Sequence, residues 1–149
     1  MKILAIDPGT KSSAYVIYDT SNNKILCFNK ADNDRLLNLT NTLPDIVLIE
    51  MVACYGMPVG KEVFDTAVWV GRYMQAFHLA NPILIYRKDV KLHHCNTMRA
   101  KDGNIIQALK DKYGDKGTKK NPGFFYGFSA DVWQAFAIAS YWAETNKIK

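Results

Sequence analysis

A chain of 149 residues, 48% apolar and 22% charged, holds enough apolar material for one folded domain over residues 1–149, with no disulfide or metal staple needed. No apolar run nears the ~20 residues that cross a bilayer, and the opening Met1-Lys2-Ile3-Leu4-Ala5-Ile6-Asp7 meets an acid too soon for a secretion signal; a cytoplasmic protein without a membrane partner is expected. Cys27, Cys54 and Cys95 are odd in number and lack a Cys-x-x-Cys pair, against a disulfide framework, while a net charge of +5 favours a polyanionic partner.

The apolar run 2–7 ends in Asp-Pro-Gly-Thr and reads as a buried strand followed by a turn. Residues 12–19 read as a second strand, Ser21-Asn22-Asn23 as a turn, and 24–28 as a third strand, together an antiparallel meander. Residues 32–41 suit a short helix with Leu36, Leu37 and Leu39 inward. The run Ile46-Val47-Leu48-Ile49-Glu50 is a strand covered on both faces. A loop over 51–60 leads to a helix over 61–79, and 83–86 is a fifth strand. A helix over 101–112 precedes a glycine-bearing loop over 113–127. Ser129 stands at the N-cap of a last helix reaching about Thr145. This order predicts an α/β fold with a mixed five-stranded sheet, three antiparallel strands then two parallel, and helices on both faces.

Asp7 ends the first strand and Glu50 the fourth. If these strands are parallel neighbours, both carboxylates emerge at one sheet edge, where α/β sheets place ligands. Two acids closing apolar strands call for a compensating cation, and oxygen donors suit magnesium. Asp131, in the first turn of the last helix, can point back over the same site, because Ala130, Ala135, Ala137, Ala139 and Ser140 let that helix lie close to the sheet. Three converging acids make a two-metal phosphodiesterase centre. Plainer roles exist for two of them: Asp7 as a turn residue and Asp131 as a charge favoured by the helix dipole.

The stretches Ile3-Leu4-Ala5-Ile6-Asp7-Pro8-Gly9-Thr10, Val47-Leu48-Ile49-Glu50 and Ala130-Asp131-Val132-Trp133-Gln134-Ala135 resemble, in order, the motifs of RuvC-like Holliday junction resolvases. Phage-type members have stretches similar to Tyr55-Gly56-Met57-Pro58-Val59-Gly60-Lys61-Glu62 and Lys116-Gly117-Thr118-Lys119-Lys120-Asn121-Pro122-Gly123. The resemblance implies an RNase H-like fold and a homodimer. It also implies Mg²⁺-dependent paired nicking of four-way junctions, with Mn²⁺ able to substitute, in a bacterial host cytoplasm if phage-encoded. Asp7, Glu50 and Asp131 fall on the family's metal-binding acids, with Asp7 bridging both ions. The family's usual second aspartate, three residues after the first, is here Gln134, which can offer an oxygen but no charge. Glu62, Asp89 and Asp102 are the other candidates for a fourth ligand.

For DNA contact, Lys112, Lys116, Lys119 and Lys120 crowd the loop before the last helix, with Lys61 and Tyr55 after Glu50. Phe124-Phe125-Tyr126 suits either base stacking or anchorage of that loop in the core. His93-His94-Cys95, taken as extended chain, points its side chains to opposite faces and cannot close on one ion. Two other functions compete: a junction-binding module with weak or absent cleavage, because of Gln134, and a nucleotide-dependent phosphotransferase, for which the chain is too short.

Overall fold

The computed structural model describes residues 1–146. Strands β1 (Lys2–Asp7), β2 (Ser12–Asp19), β3 (Lys24–Asp32), β4 (Ile46–Met51) and β5 (Ile83–Tyr86) form one sheet in the order β3-β2-β1-β4-β5. β1 runs antiparallel to β2, and β2 to β3, whereas β4 is parallel to both β1 and β5. The expected mixed sheet is therefore present. The chain builds outward from β1 on one side, then returns to build on the other, so the β1–β4 seam is where the strand order reverses.

Alternation along the strands sorts the core into two layers. Ile3 and Ala5 of β1, Leu48 of β4 and Ile85 of β5 face one side; Leu4 and Ile6 of β1 with Val47 and Ile49 of β4 face the other. Both faces are covered, which is why β1 and β4 read as unbroken apolar runs. The second face carries α2 (Lys61–Ala76) and the single turn α1 (Asn33–Leu36), which continues as a 3-10 turn over Leu37–Thr42. The first carries α3 (Arg87–Cys95), α4 (Asp102–Tyr113) and α5 (Val132–Thr145).

α5 is the organising helix. Every residue from Val132 to Ser140 is buried, as expected of a helix enclosed on all sides; it lies over β1 and β2 and beneath α3 and α4. Phe136 meets Tyr18, Tyr113 and Phe125 edge to face, with ring centroids 5.3, 5.2 and 5.2 Å away. Phe125 and Phe128 are likewise fully buried. The aromatic cluster of the last loop is therefore mainly core, with Tyr126 left outside.

Four boundaries depart from the sequence reading. β3 continues to Asp32 instead of stopping at Phe28, because its polar second half pairs with Ser12–Val16 of β2. α2 stops at Ala76 and gives way to a 3-10 turn over His78–Ala80. Residues 87–95 form a helix, so His93 and His94 are successive helical positions and not alternate faces of a strand. The buried stripe of that helix contains one apolar residue, Val90, among charged neighbours, too little to signal helical periodicity. Finally, Ser129 does not cap α5 with its side chain; its carbonyl accepts from Val132 N–H, and Asp131 occupies the N-cap position. No helix among the described residues is long and apolar enough to cross a membrane.

Phe136 fills the space where α5 meets the sheet and the last loop. Phe136→Ala is expected to lower unfolding free energy by about 3–5 kcal/mol, measurable by urea titration.

Candidate functional site

The sheet register assembles the site before any side chain is considered. Ile6 pairs with Ile49 across the parallel seam, so the next residues, Asp7 and Glu50, emerge side by side. On the other flank Asp7 pairs with Ala14, and Ala14 with Lys30; beyond Glu50 comes Ile85. Lys30, Ala14, Asp7, Glu50 and Ile85 thus form a row across the sheet, on the face that carries α5. Arg87, at the start of α3, reaches Glu50 from beyond β5.

Asp7 and Glu50 are within hydrogen-bonding reach of each other. Burial, reinforced by the charges of Glu50 and Asp131, pushes the Asp7 carboxyl up to about 8. Burial raises Glu50 as well, opposed by the guanidinium of Arg87. Arg87 Nη1 lies 3.3 Å from Glu50 Oε1, and its Nη2 donates to Asp102. Asp131 lies near enough to repel Asp7, and both line a groove of ≈ 290 Å³ with Pro8, Gly9, Thr10, Lys11, Ser12 and Lys30. Its carboxylate makes no cap hydrogen bond to α5; Lys30 Nζ binds it at 2.5 Å.

The turn after Asp7 is fixed from below. Ser13 Oγ accepts from Gly9 N–H at 3.1 Å and donates to Asn33 Oδ1 at 2.6 Å. Asn33 Nδ2 donates to Gly9 O at 2.9 Å, and Tyr73 OH donates to Asn33 Oδ1 at 3.0 Å. All three side chains are buried. A Cβ on Gly9 would meet Ser12 O at 2.3 Å, so the turn admits only glycine there.

The donor set suits a hard divalent cation: oxygen only, two adjacent carboxylates largely withdrawn from water, a third acid on the same groove. Convergence is realised for two acids, not three. Among the described residues no three His, Cys, Asp or Glu side chains stand together as a formed metal cage, and Asp131 is paired with Lys30. Of the candidate fourth ligands, Asp102 is engaged by Arg87, and Glu62 and Asp89 sit in the first turns of α2 and α3. Gln134 is buried, and its N–H bonds Asp131 O at 3.0 Å.

The expected DNA-contacting residues scatter. Lys112 is bound to Glu144 at 2.5 Å, at the far end of α5 from Asp131. Lys119 and Lys120 form the tip of a tight hairpin, closed by Thr118 N–H to Asn121 O and by Gly123 N–H to Lys116 O, both 2.9 Å. Tyr55 is exposed in the loop after β4, and Lys61 pairs with Asp65 one turn along α2. Sequence reasoning missed Lys30, Arg87 and the Ser13–Asn33–Tyr73 network. Strand parity places Lys30 on the face of Asp7 once β3 is extended to Asp32, whereas Arg87 lies on α3, beyond the reach of parity.

Strand order, strand directions and helices on both faces define an RNase H-like fold. Among solved structures, Thermus thermophilus RuvC matches with a TM-score of 0.74 at 16% identity, over 100% of this chain and 99% of its own. T. thermophilus RuvC in complex with Holliday junction substrate gives 0.71 at 15%, over 100% and 98%. A Fowlpox virus resolvase complexed with substrate Holliday junction DNA gives 0.48 at 20%, over 99% and 100%. At such identities the likeness is one of fold: this chain has the fold of RuvC. No protein-family model and no curated protein sequence matches it.

The raised Asp7 carboxyl has a consequence for stability. Below pH ~4 folded and unfolded chains both hold the proton. As pH rises towards about 8 the unfolded chain releases it first, so the folded state loses relative stability. In chelator-treated protein, Asp7→Asn is therefore expected to melt above wild type at pH 8, the gap closing by pH 4, as followed by thermal denaturation. A second expectation concerns the network beneath the turn: Asn33→Ala strands the partners of a buried amide and costs about 1–3 kcal/mol by urea titration.

Proposed function

We propose that this protein is a Holliday junction resolvase: a Mg²⁺-dependent, structure-selective endodeoxyribonuclease that cuts branched DNA by two-metal phosphodiester hydrolysis, with Mn²⁺ able to substitute. The observation that carries this reading is the placement of Asp7 and Glu50 side by side at the carboxyl ends of β1 and β4, where the strand order reverses. Asp131 of α5 borders the same groove. Support comes also from the fold shared with RuvC, of which one matched structure is a complex with Holliday junction substrate.

Asp7, central in the row, would hold the ions together with Glu50 on the β4 side and with Asp131 and the neutral Gln134, one turn on, beside the groove. Divalent ions held there would supply Lewis-acid activation of water and charge neutralisation at the leaving oxygen. The chain's own part is positional. The Ser13–Asn33–Tyr73 network holds the turn after Asp7, and α5 sets Asp131 against it. Lys116, Lys119 and Lys120 on the ordered hairpin, with Lys61 and Tyr55, are proposed to grip the DNA backbone away from the cut. Homodimerisation, which gives two cutting centres for two opposed strands, and a cytoplasmic setting belong to the same proposal.

Cleavage of a labelled panel of four-way junctions, forks and flaps with Mg²⁺ tests it. Wild type is expected to nick the four-way junction, and Asp7→Asn to lose cutting by at least ~10³-fold while retaining most of its binding. Equal cutting by both would overturn the site. Tight junction binding by wild type without any product would favour a binding module over a nuclease.

A further inference from the structure

Both acids that flank Asp7 already hold a cation supplied by the chain. Lys30 sits two strands from Asp7 in the same row, roughly 10 Å away at ordinary strand spacing, and its ammonium binds Asp131 at 2.5 Å. Arg87 sits on the opposite flank and binds Glu50 at 3.3 Å. A divalent ion entering between Asp7 and either neighbour must compete with one of these cations for the same carboxylate oxygens.

The two pairs differ in how they come apart. Lys30 and Asp131 are each about half exposed, at 45% and 49%, and a solvated pair of this kind is weak. Lys30 also lines the groove beside Gly9, Thr10 and Lys11. Arg87 is more enclosed, and its second nitrogen is held by Asp102. When Glu50 is taken up by an ion, Asp102 keeps the guanidinium at the edge of the site with one prong free. A planar guanidinium so tethered suits a phosphate oxygen.

We propose that Lys30 and Arg87 are resident counter-ions of the acid row, displaced by divalent cations and then engaged by the phosphates on either side of the scissile bond. This rests on the nuclease reading and adds to it a coupling: metal loading frees two cationic groups for DNA, so metal and DNA strengthen each other's binding. Lys30 and Arg87 act on the acids in one state and on the nucleic acid in the other.

Two measurements at constant ionic strength, neither requiring turnover, test the coupling. In titration calorimetry with Mn²⁺ alone, Lys30→Met and Arg87→Lys are expected to bind the ion several-fold more tightly than wild type, since competition at the acids is removed or weakened. In junction binding, wild type and Lys30→Met should be alike in chelator. With Ca²⁺ as a probe ion, wild type should gain about tenfold over the variant, a magnitude typical of one charged hydrogen bond. Lys30 is half exposed on an edge strand, so its replacement leaves the core intact. Unchanged Mn²⁺ affinity in both variants, or an equal loss of junction affinity with and without Ca²⁺, would overturn the proposal. Asp7→Asn is the separate control: if it binds Mn²⁺ as wild type does, the metal site itself is wrong.

Discussion

Two carboxylates standing side by side at the end of a buried parallel seam set the terms for the rest of this molecule. Asp7 and Glu50 are brought together by strand pairing, not by mutual attraction, and withdrawal from water makes their charges unfavourable. Three responses are visible. Asp7 keeps a proton to unusually high pH, Glu50 takes a guanidinium, and Asp131 takes an ammonium. Each is a way of supplying positive charge to one small region of the sheet edge.

Rigidity around that edge comes from polar groups fully committed to one another. Ser13, Asn33 and Tyr73 tie β2, α1 and α2 to the backbone of Gly9. Among the described residues no buried side-chain nitrogen or oxygen lacks a partner. A turn so fixed holds the chain leaving Asp7 in one conformation, which a site built for charged ligands requires. The strained element is thus the acid pair, and the material beneath it is satisfied.

The other end of α5 carries a charge cluster of a different kind. Glu144 is partly buried too, but Lys112, Ser140, His93 and Tyr113 all reach its carboxylate, and it is held down at about 2 against the opposing effect of burial. Lys112 binds it at 2.5 Å and His93 at 2.7 Å. An acid with four partners is stabilised as an anion and has no call for a further cation. Asp7, facing two other acids, is the reverse case. The contrast in partners separates the candidate site from the scaffold more clearly than burial does.

Local pattern was enough to find the five strands, though not the second half of β3, and helices over 61–79 and 101–112 and at the chain's end, because apolar runs, alternation and turn residues report how each segment must be covered. The same pattern marked Asp7, Glu50 and Asp131, since an acid closing an apolar strand or opening an apolar helix breaks the local rule. α3 escaped because Val90 is its one buried apolar side chain, while Arg87 and His94 are engaged by an ion pair and a hydrogen bond. Lys30 and Arg87 escaped for a related reason: a lysine or arginine on a surface element looks the same whether it is solvated or aimed at a carboxylate. The chain by itself determined which segments are strands and helices and which acids are out of place, for these follow from short-range burial. Only the tertiary structure decided that strand order puts two of those acids in contact, that Lys112 belongs to Glu144, and that Lys30 and Arg87 stand guard on either flank, because each depends on register between segments far apart in sequence.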